Sequence, residues 1–78
     1  MIFLNIGEPD FTAPPLVQEA AAKAVRDGAT QYTNALGLDA LRERISGWYQ
    51  NRFGVDVPAR RIVVTAGASA ALHLACLA

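Results

Sequence analysis

The sequence predicts a mostly helical chain that ends on a strand–loop–helix turn of the kind common in α/β proteins. Three observations predict it. Apolar residues recur at helical spacing in two separate stretches, Leu16 to Val25 and Leu38 to Phe53. The run Ile62-Val63-Val64-Thr65 is rich in β-branched side chains, which suit a buried strand. An alanine-rich stretch from Ala66 to Ala78 follows it and favours helix.

The elements follow in order. Phe3 to Ile6 reads as a short extended piece. Gly7-Glu8-Pro9-Asp10-Phe11 is irregular, because Gly and Pro break regular structure. Pro14-Pro15 sits where a first helical turn tolerates proline. Leu16, Val17, Ala20, Ala21, Ala24 and Val25 then mark a first helix from Pro15 to Asp27, with Gly28 as its closing residue. Ala29 to Leu36 is a loop centred on Tyr32. Gly37 is expected to open a second helix, with Asp39 in its first turn, where negative charge suits the helix dipole. Leu38, Leu41, Ile45, Trp48, Tyr49 and Phe53 trace one face of that helix. Arg42, Glu43, Gln50 and Asn51 lie elsewhere, and Gly54 ends it. Pro58 sits in a turn, Ile62 to Thr65 forms the strand, and a third helix begins at or near Ala68. The run Ala70 to Ala78 has no closing Gly, Asn or basic last turn, so the helix is expected to belong to a chain that was cut.

Composition narrows the function. A chain of 78 residues buries only about 60–65% of the surface its unfolded form exposes. One core is possible, but a deep, water-excluding cleft is hard to build. The apolar share is 53%, much of it alanine, which reads as surface meant for neighbours. Seven basic residues balance seven acidic ones, so there is no clustered basic face for nucleic acid. No apolar run approaches the roughly 20 residues needed to span a membrane. Met1 to Ile6 is too short for a signal-peptide core and lacks a basic start. The lone Cys76 cannot form an internal disulfide, which fits a reducing, cytoplasmic setting.

The segment with chemical content is Thr65-Ala66-Gly67-Ala68-Ser69, between strand and helix. A helix N-terminus carries unpartnered N–H groups and partial positive charge, so it accepts phosphate readily. Gly67 has no side chain to block an anion, and the Ser69 hydroxyl can donate to a phosphate oxygen. Ser69 acting only as a helix cap is the plainer alternative. No Gly-Lys-Ser/Thr follows, so this is not a P-loop, and the further glycines of a dinucleotide fingerprint are missing. Glu8 and Asp10 read as loop or cap contacts rather than a catalytic pair. His73 reads as a packed or partly exposed side chain, Trp48 and Tyr49 as core or interface, and Cys76 as a small buried hydrophobe. No metal-ligating set is assigned.

Three spaced motifs, taken together, carry a resemblance. Asn5-Ile6-Gly7-Glu8-Pro9-Asp10-Phe11 resembles the G-[EQ]-P-D-F opening of the class I/II aminotransferases that use pyridoxal 5′-phosphate (PLP). Gln31-Tyr32-Thr33, then Gly37 and Leu41-Arg42, resembles their YT…G…LR segment. Ile62 to Leu72 resembles their I-x-V-T-x-G-[AG]-x-x-A-L strand–helix unit. The motifs stand in the family's order and spacing and cover nearly the whole chain.

The resemblance implies an α/β, fold type I protein. Residues 1–60 would supply the N-terminal arm and part of the small domain or interface, and residues 61–78 the start of the large PLP-binding domain. It implies that Gly67, Ala68 and Ser69 cradle the PLP phosphate. It implies that Tyr32 reaches the cofactor phosphate of the other subunit of a homodimer, and that the Gly7 backbone helps to bind the substrate α-carboxylate. The parent would move an amino group between an amino acid and a 2-oxo acid.

PLP chemistry needs an amine to condense with the cofactor aldehyde, an acidic partner for the ring nitrogen, and usually an Arg for the substrate carboxylate. The only lysine, Lys23, lies mid-helix and far in sequence from the phosphate motif, so no catalytic residue is assigned. In the resembled family these groups lie beyond residue 78, and the 78-residue piece is expected to be inactive alone. The same motifs also suit a C–S β-lyase or a cyclopropane-carboxylate synthase on this fold. They also suit the aminotransferase-like effector domain of a transcription regulator. A stand-alone helical module is the remaining reading.

Overall fold

The computed structural model describes residues 1–78 and holds three α-helices and one 3₁₀ turn. The chain divides into two units, Met1–Gln31 and Tyr32–Ala78.

In the first unit, Met1 to Pro14 is irregular and exposed, and α1 spans Pro15–Arg26. The Pro14 carbonyl accepts the Val17 and Gln18 amides at 2.9 and 3.1 Å, so the two prolines set the helix start. At the other end the Ala29 amide reaches the Ala24 carbonyl at 2.9 Å, and the Gly28 amide reaches Val25 at 3.1 Å. That paired pattern is a Schellman motif. The helix stops at Arg26, with Asp27 as its cap, one residue short of the expected end. Its apolar stripe meets nothing: Leu16 is 85% exposed and only Ala24 is half-buried. Propensity, the proline start and the closing turn hold α1, not a core.

In the second unit, α2 spans Asp39–Phe53, a 3₁₀ turn spans Ala59–Arg61, and α3 spans Ala68–Leu77. Gly37 does not open α2 as expected. Leu38 is the cap residue, and its carbonyl accepts the Leu41 and Arg42 amides at 3.0 and 3.1 Å. Asp39 at the start and Arg52 in the last turn both suit the dipole, and Gly54 closes the helix in the left-handed conformation. The apolar stripe of α2 largely meets itself. The Trp48 ring stands edge-on to Tyr49 and Phe53, with centroids 5.2 and 5.1 Å apart.

The expected strand does not form. Ile62 is extended, but Ile62 to Thr65 has no ladder and only one backbone bond across to another segment, Val64 N–H to the Leu36 carbonyl at 2.9 Å. A strand is defined by its partner, and the chain holds no second strand to pair with. No apolar side chain is buried anywhere. The one buried residue is Arg42, which the helical periodicity placed off the apolar face.

Candidate functional site

The turn into α3 is shaped by two short bonds. The Gly67 amide donates to the Thr65 carbonyl at 2.9 Å, and the Thr65 hydroxyl donates back to the Gly67 carbonyl at 2.8 Å. Gly67 has φ +88° and ψ 166°, a backbone region essentially restricted to glycine. A Cβ built there would have no heavy atom within 4 Å. The glycine is therefore required by its backbone angles, and the space beside it is open.

Beyond Gly67, α3 begins without a side-chain cap and without an acid in its first turn. The amides of Ala68, Ser69 and Ala70 have no intrahelical carbonyl to meet, and Ala71 N–H reaches the Gly67 carbonyl only at 3.5 Å. Ser69 is exposed, and its hydroxyl makes no protein hydrogen bond, so it is not the helix cap. Three free amides, one hydroxyl, the positive end of a helix dipole and an unobstructed approach are the donor set that a phosphate needs. The residues fit a phosphate group.

The other predicted site residues are each exposed or open. Tyr32 heads the second unit with its side chain fully exposed. Gly7 belongs to the first unit, and nothing lies within 4 Å of the Cβ position there. Glu8 and Asp10 line an open depression with Pro9, Phe11 and Thr12 and form no ion pair. Lys23 is exposed on α1 and pairs with Asp27 one turn on. His73 is exposed, and so is Cys76, which corrects its reading as buried: α3 has no neighbour to cover that face. No cluster of His, Cys, Asp or Glu is placed to hold a metal ion, and no helix is long and apolar enough to cross a membrane.

Sequence reasoning missed the group that holds the approach to the turn. Arg42 Nε donates to the Ile62 carbonyl and Nη2 to the Ala59 carbonyl, both at 2.9 Å. Its Nη1 donates to Asp39 Oδ1 at 3.0 Å. The same carboxylate oxygen accepts Asn34 Nδ2 at 3.0 Å. Asn34 Oδ1 accepts the Leu36 amide, and the Asn34 carbonyl accepts the Gly37 amide, each at 3.0 Å. Gly37, at φ +103°, lies so close to Val64 that an added Cβ would fall 2.7 Å from the Val64 Cβ. The one available signal was the Leu41-Arg42 pair of the second motif, whose Arg carried no assigned role.

The family Aminotransferase class I and II matches the chain over residues 1–78. The chain belongs to the class I and II aminotransferases. Aspartate aminotransferase of Pyrococcus horikoshii is 40% identical over 75 residues, 96% of this chain and 19% of that protein. A probable aspartate aminotransferase of Methanocaldococcus jannaschii is 43% identical over 76 residues, 97% of this chain and 20% of that protein. Asparagine–oxo-acid transaminase of Streptococcus mutans is 44% identical over 71 residues, 90% of this chain and 18% of that protein. This aminotransferase chain therefore spans about a fifth of the length of the curated relatives it matches. No solved structure matches it.

Proposed function

We propose that the protein carrying this chain is a PLP-dependent aminotransferase that moves an amino group between an amino acid and a 2-oxo acid. The observation that carries the reading is the uncapped start of α3, with its free Ala68, Ser69 and Ala70 amides beside the open Gly67, in a chain of this family. Gly67, Ala68 and Ser69 hold the phosphate: the amides and the Ser69 hydroxyl donate, and the absence of a first-turn acid leaves the dipole uncancelled. When bound, PLP supplies the electron sink for the bond broken at the amino-acid α-carbon.

Tyr32, with its exposed side chain, donates to the phosphate held by the second subunit of a homodimer. Gly7, open at the Cβ position, brings its backbone to the substrate α-carboxylate. The exposed apolar faces of α1 and α3 suit burial in a larger α/β protein. There residues 1–60 form the arm and part of the small domain, and residues 61–78 begin the PLP-binding domain. Ile62 is already extended, and Ile62 to Thr65 becomes a strand once neighbouring strands supply the ladder. Lys23 is not assigned as the condensing amine, because it lies mid-helix on α1, far in sequence from the phosphate turn. That amine, the acid for the ring nitrogen and the carboxylate-binding Arg are supplied by other residues of the parent, which works in a reducing compartment such as the cytoplasm.

The test uses the complete protein. Gly67→Ala strains the backbone alone, whereas Gly67→Glu adds bulk and negative charge where the phosphate sits. PLP retention should fall much further in the glutamate variant than in the alanine variant. Equal retention in both would contradict this placement of the phosphate.

A further inference from the structure

We infer that Arg42 is the positioning residue for the phosphate-binding turn. It aims the first amides of α3 from a distance and does not touch the anion itself. The inference rests on the phosphate site proposed above.

A guanidinium is seldom the most buried group of a chain, because losing water costs several kcal/mol unless its donors are met. Arg42 is nonetheless the only buried residue, at 8% exposure, in a chain with no buried apolar side chain. Its burial is matched by three donated bonds in different directions. Two of them take backbone carbonyls at either side of the 3₁₀ turn, Ala59 and Ile62, so the turn's exit direction is fixed against the first turns of α2. The third takes Asp39, which also holds Asn34.

From Asn34 the constraint returns to the same strand-like run. Asn34 folds the loop so that the Leu36 carbonyl accepts the Val64 amide and Gly37 admits the Val64 side chain. Ile62 is thus held from one direction by Arg42, and Val64 by the loop that Arg42 supports through Asp39. The closed path runs Arg42, Ile62, Val64, Leu36, Asn34, Asp39 and back to Arg42. Gly67 lies three residues beyond Val64. With both points fixed, the chain enters α3 from one direction, and the unpartnered amides point at one place. Direct anion binding by Arg42 is disfavoured, because the side chain is buried and Nε, Nη1 and Nη2 are each engaged. A lysine has one ammonium and cannot span Ala59, Ile62 and Asp39 as the fork does.

The experiment compares PLP with pyridoxal, which lacks the phosphate, as ligands of the cofactor-free complete protein. Dissociation constants are measured for the unaltered protein, Arg42→Met, Arg42→Lys and Asn34→Ala, with amide hydrogen exchange at residues 62–70. Loss of bonds from a charged donor should weaken PLP about 10- to 100-fold in Arg42→Met, while pyridoxal changes by less than about 3-fold. Arg42→Lys should fail to restore PLP binding, and exchange should quicken at Val64. Asn34→Ala should shift the same ratio by a smaller factor. Should Arg42→Met not fold, Arg42→Lys and Asn34→Ala carry the comparison.

A purely structural role would weaken both ligands by one factor, and that result would overturn the inference. So would full rescue by lysine, which would make charge rather than the fork the operative property. If the unaltered protein bound PLP no better than pyridoxal, the phosphate site itself would fall, and the role of Arg42 with it. If the unaltered protein preferred PLP and the Arg42 variants kept that preference, only the Arg42 assignment would fall.

Discussion

Replacing Gly37 with alanine should be one of the most damaging single-methyl changes in this chain. Two separate costs meet at the position. Its φ of +103° is one that L side chains rarely adopt, and such strain costs about 1–3 kcal/mol. The added Cβ would also lie 2.7 Å from the Val64 Cβ and 2.8 Å from Val64 Cγ2, closer than real carbon contacts. Relieving such an overlap by moving backbone costs about a further 1–3 kcal/mol. The loss should therefore be about 2–6 kcal/mol, a large part of the stability of an ordinary domain. Gly28 supplies the control. It has φ +77°, yet nothing lies within 4 Å of its Cβ position, so Gly28→Ala carries strain without the clash. Denaturant unfolding of both variants in the complete protein gives the steric part as their difference. Val64→Ala should rescue Gly37→Ala only in part, because it removes Cγ2 and leaves Cβ in place. If Gly37→Ala cost no more than Gly28→Ala, the tight approach of the loop to Val64 would be refuted.

Other outcomes follow from the same geometry. Ser69→Ala should weaken PLP binding by about 10- to 100-fold, the share of one hydrogen bond to a charged group, with pyridoxal binding unchanged; dissociation constants decide it. Lys23→Ala should change unfolding free energy by about 0.5 kcal/mol or less and leave amino transfer intact, because its pair with Asp27 is exposed. Loss of all transfer activity in that variant would reopen Lys23 as the catalytic amine. A peptide of residues 1–78 should show helical circular dichroism with a broad, weakly cooperative thermal transition, since it has no buried apolar side chain. A sharp transition would contradict that.

What the sequence revealed depended on how local each signal was. α1, α2 and α3 were legible because helical spacing, Pro15 and the closing Gly28 and Gly54 act within a few residues. The turn at Gly67 was legible for the same reason. Ile62 to Thr65 was legible only as a run suited to a sheet, because β-branched composition records that suitability while the ladder depends on another segment. The burial of Cys76 was over-read, since an apolar helix face is buried only against a neighbour. Arg42 was overlooked for the opposite reason. Composition treats arginine as surface, and only three-dimensional geometry brings Ala59 and Ile62 within reach of its fork. Asn34 lay unremarked in the expected loop and Gly37 was read as opening α2, because the partner that Gly37 admits, Val64, lies far along the chain.

The most direct test of the central claim is a crystal structure of the complete protein with PLP bound. A phosphate oxygen should lie within ordinary hydrogen-bond reach, about 2.7–3.2 Å, of amides at Ala68 to Ala70, with the Ser69 hydroxyl also donating. A phosphate held elsewhere, with the start of α3 facing only water, would contradict it.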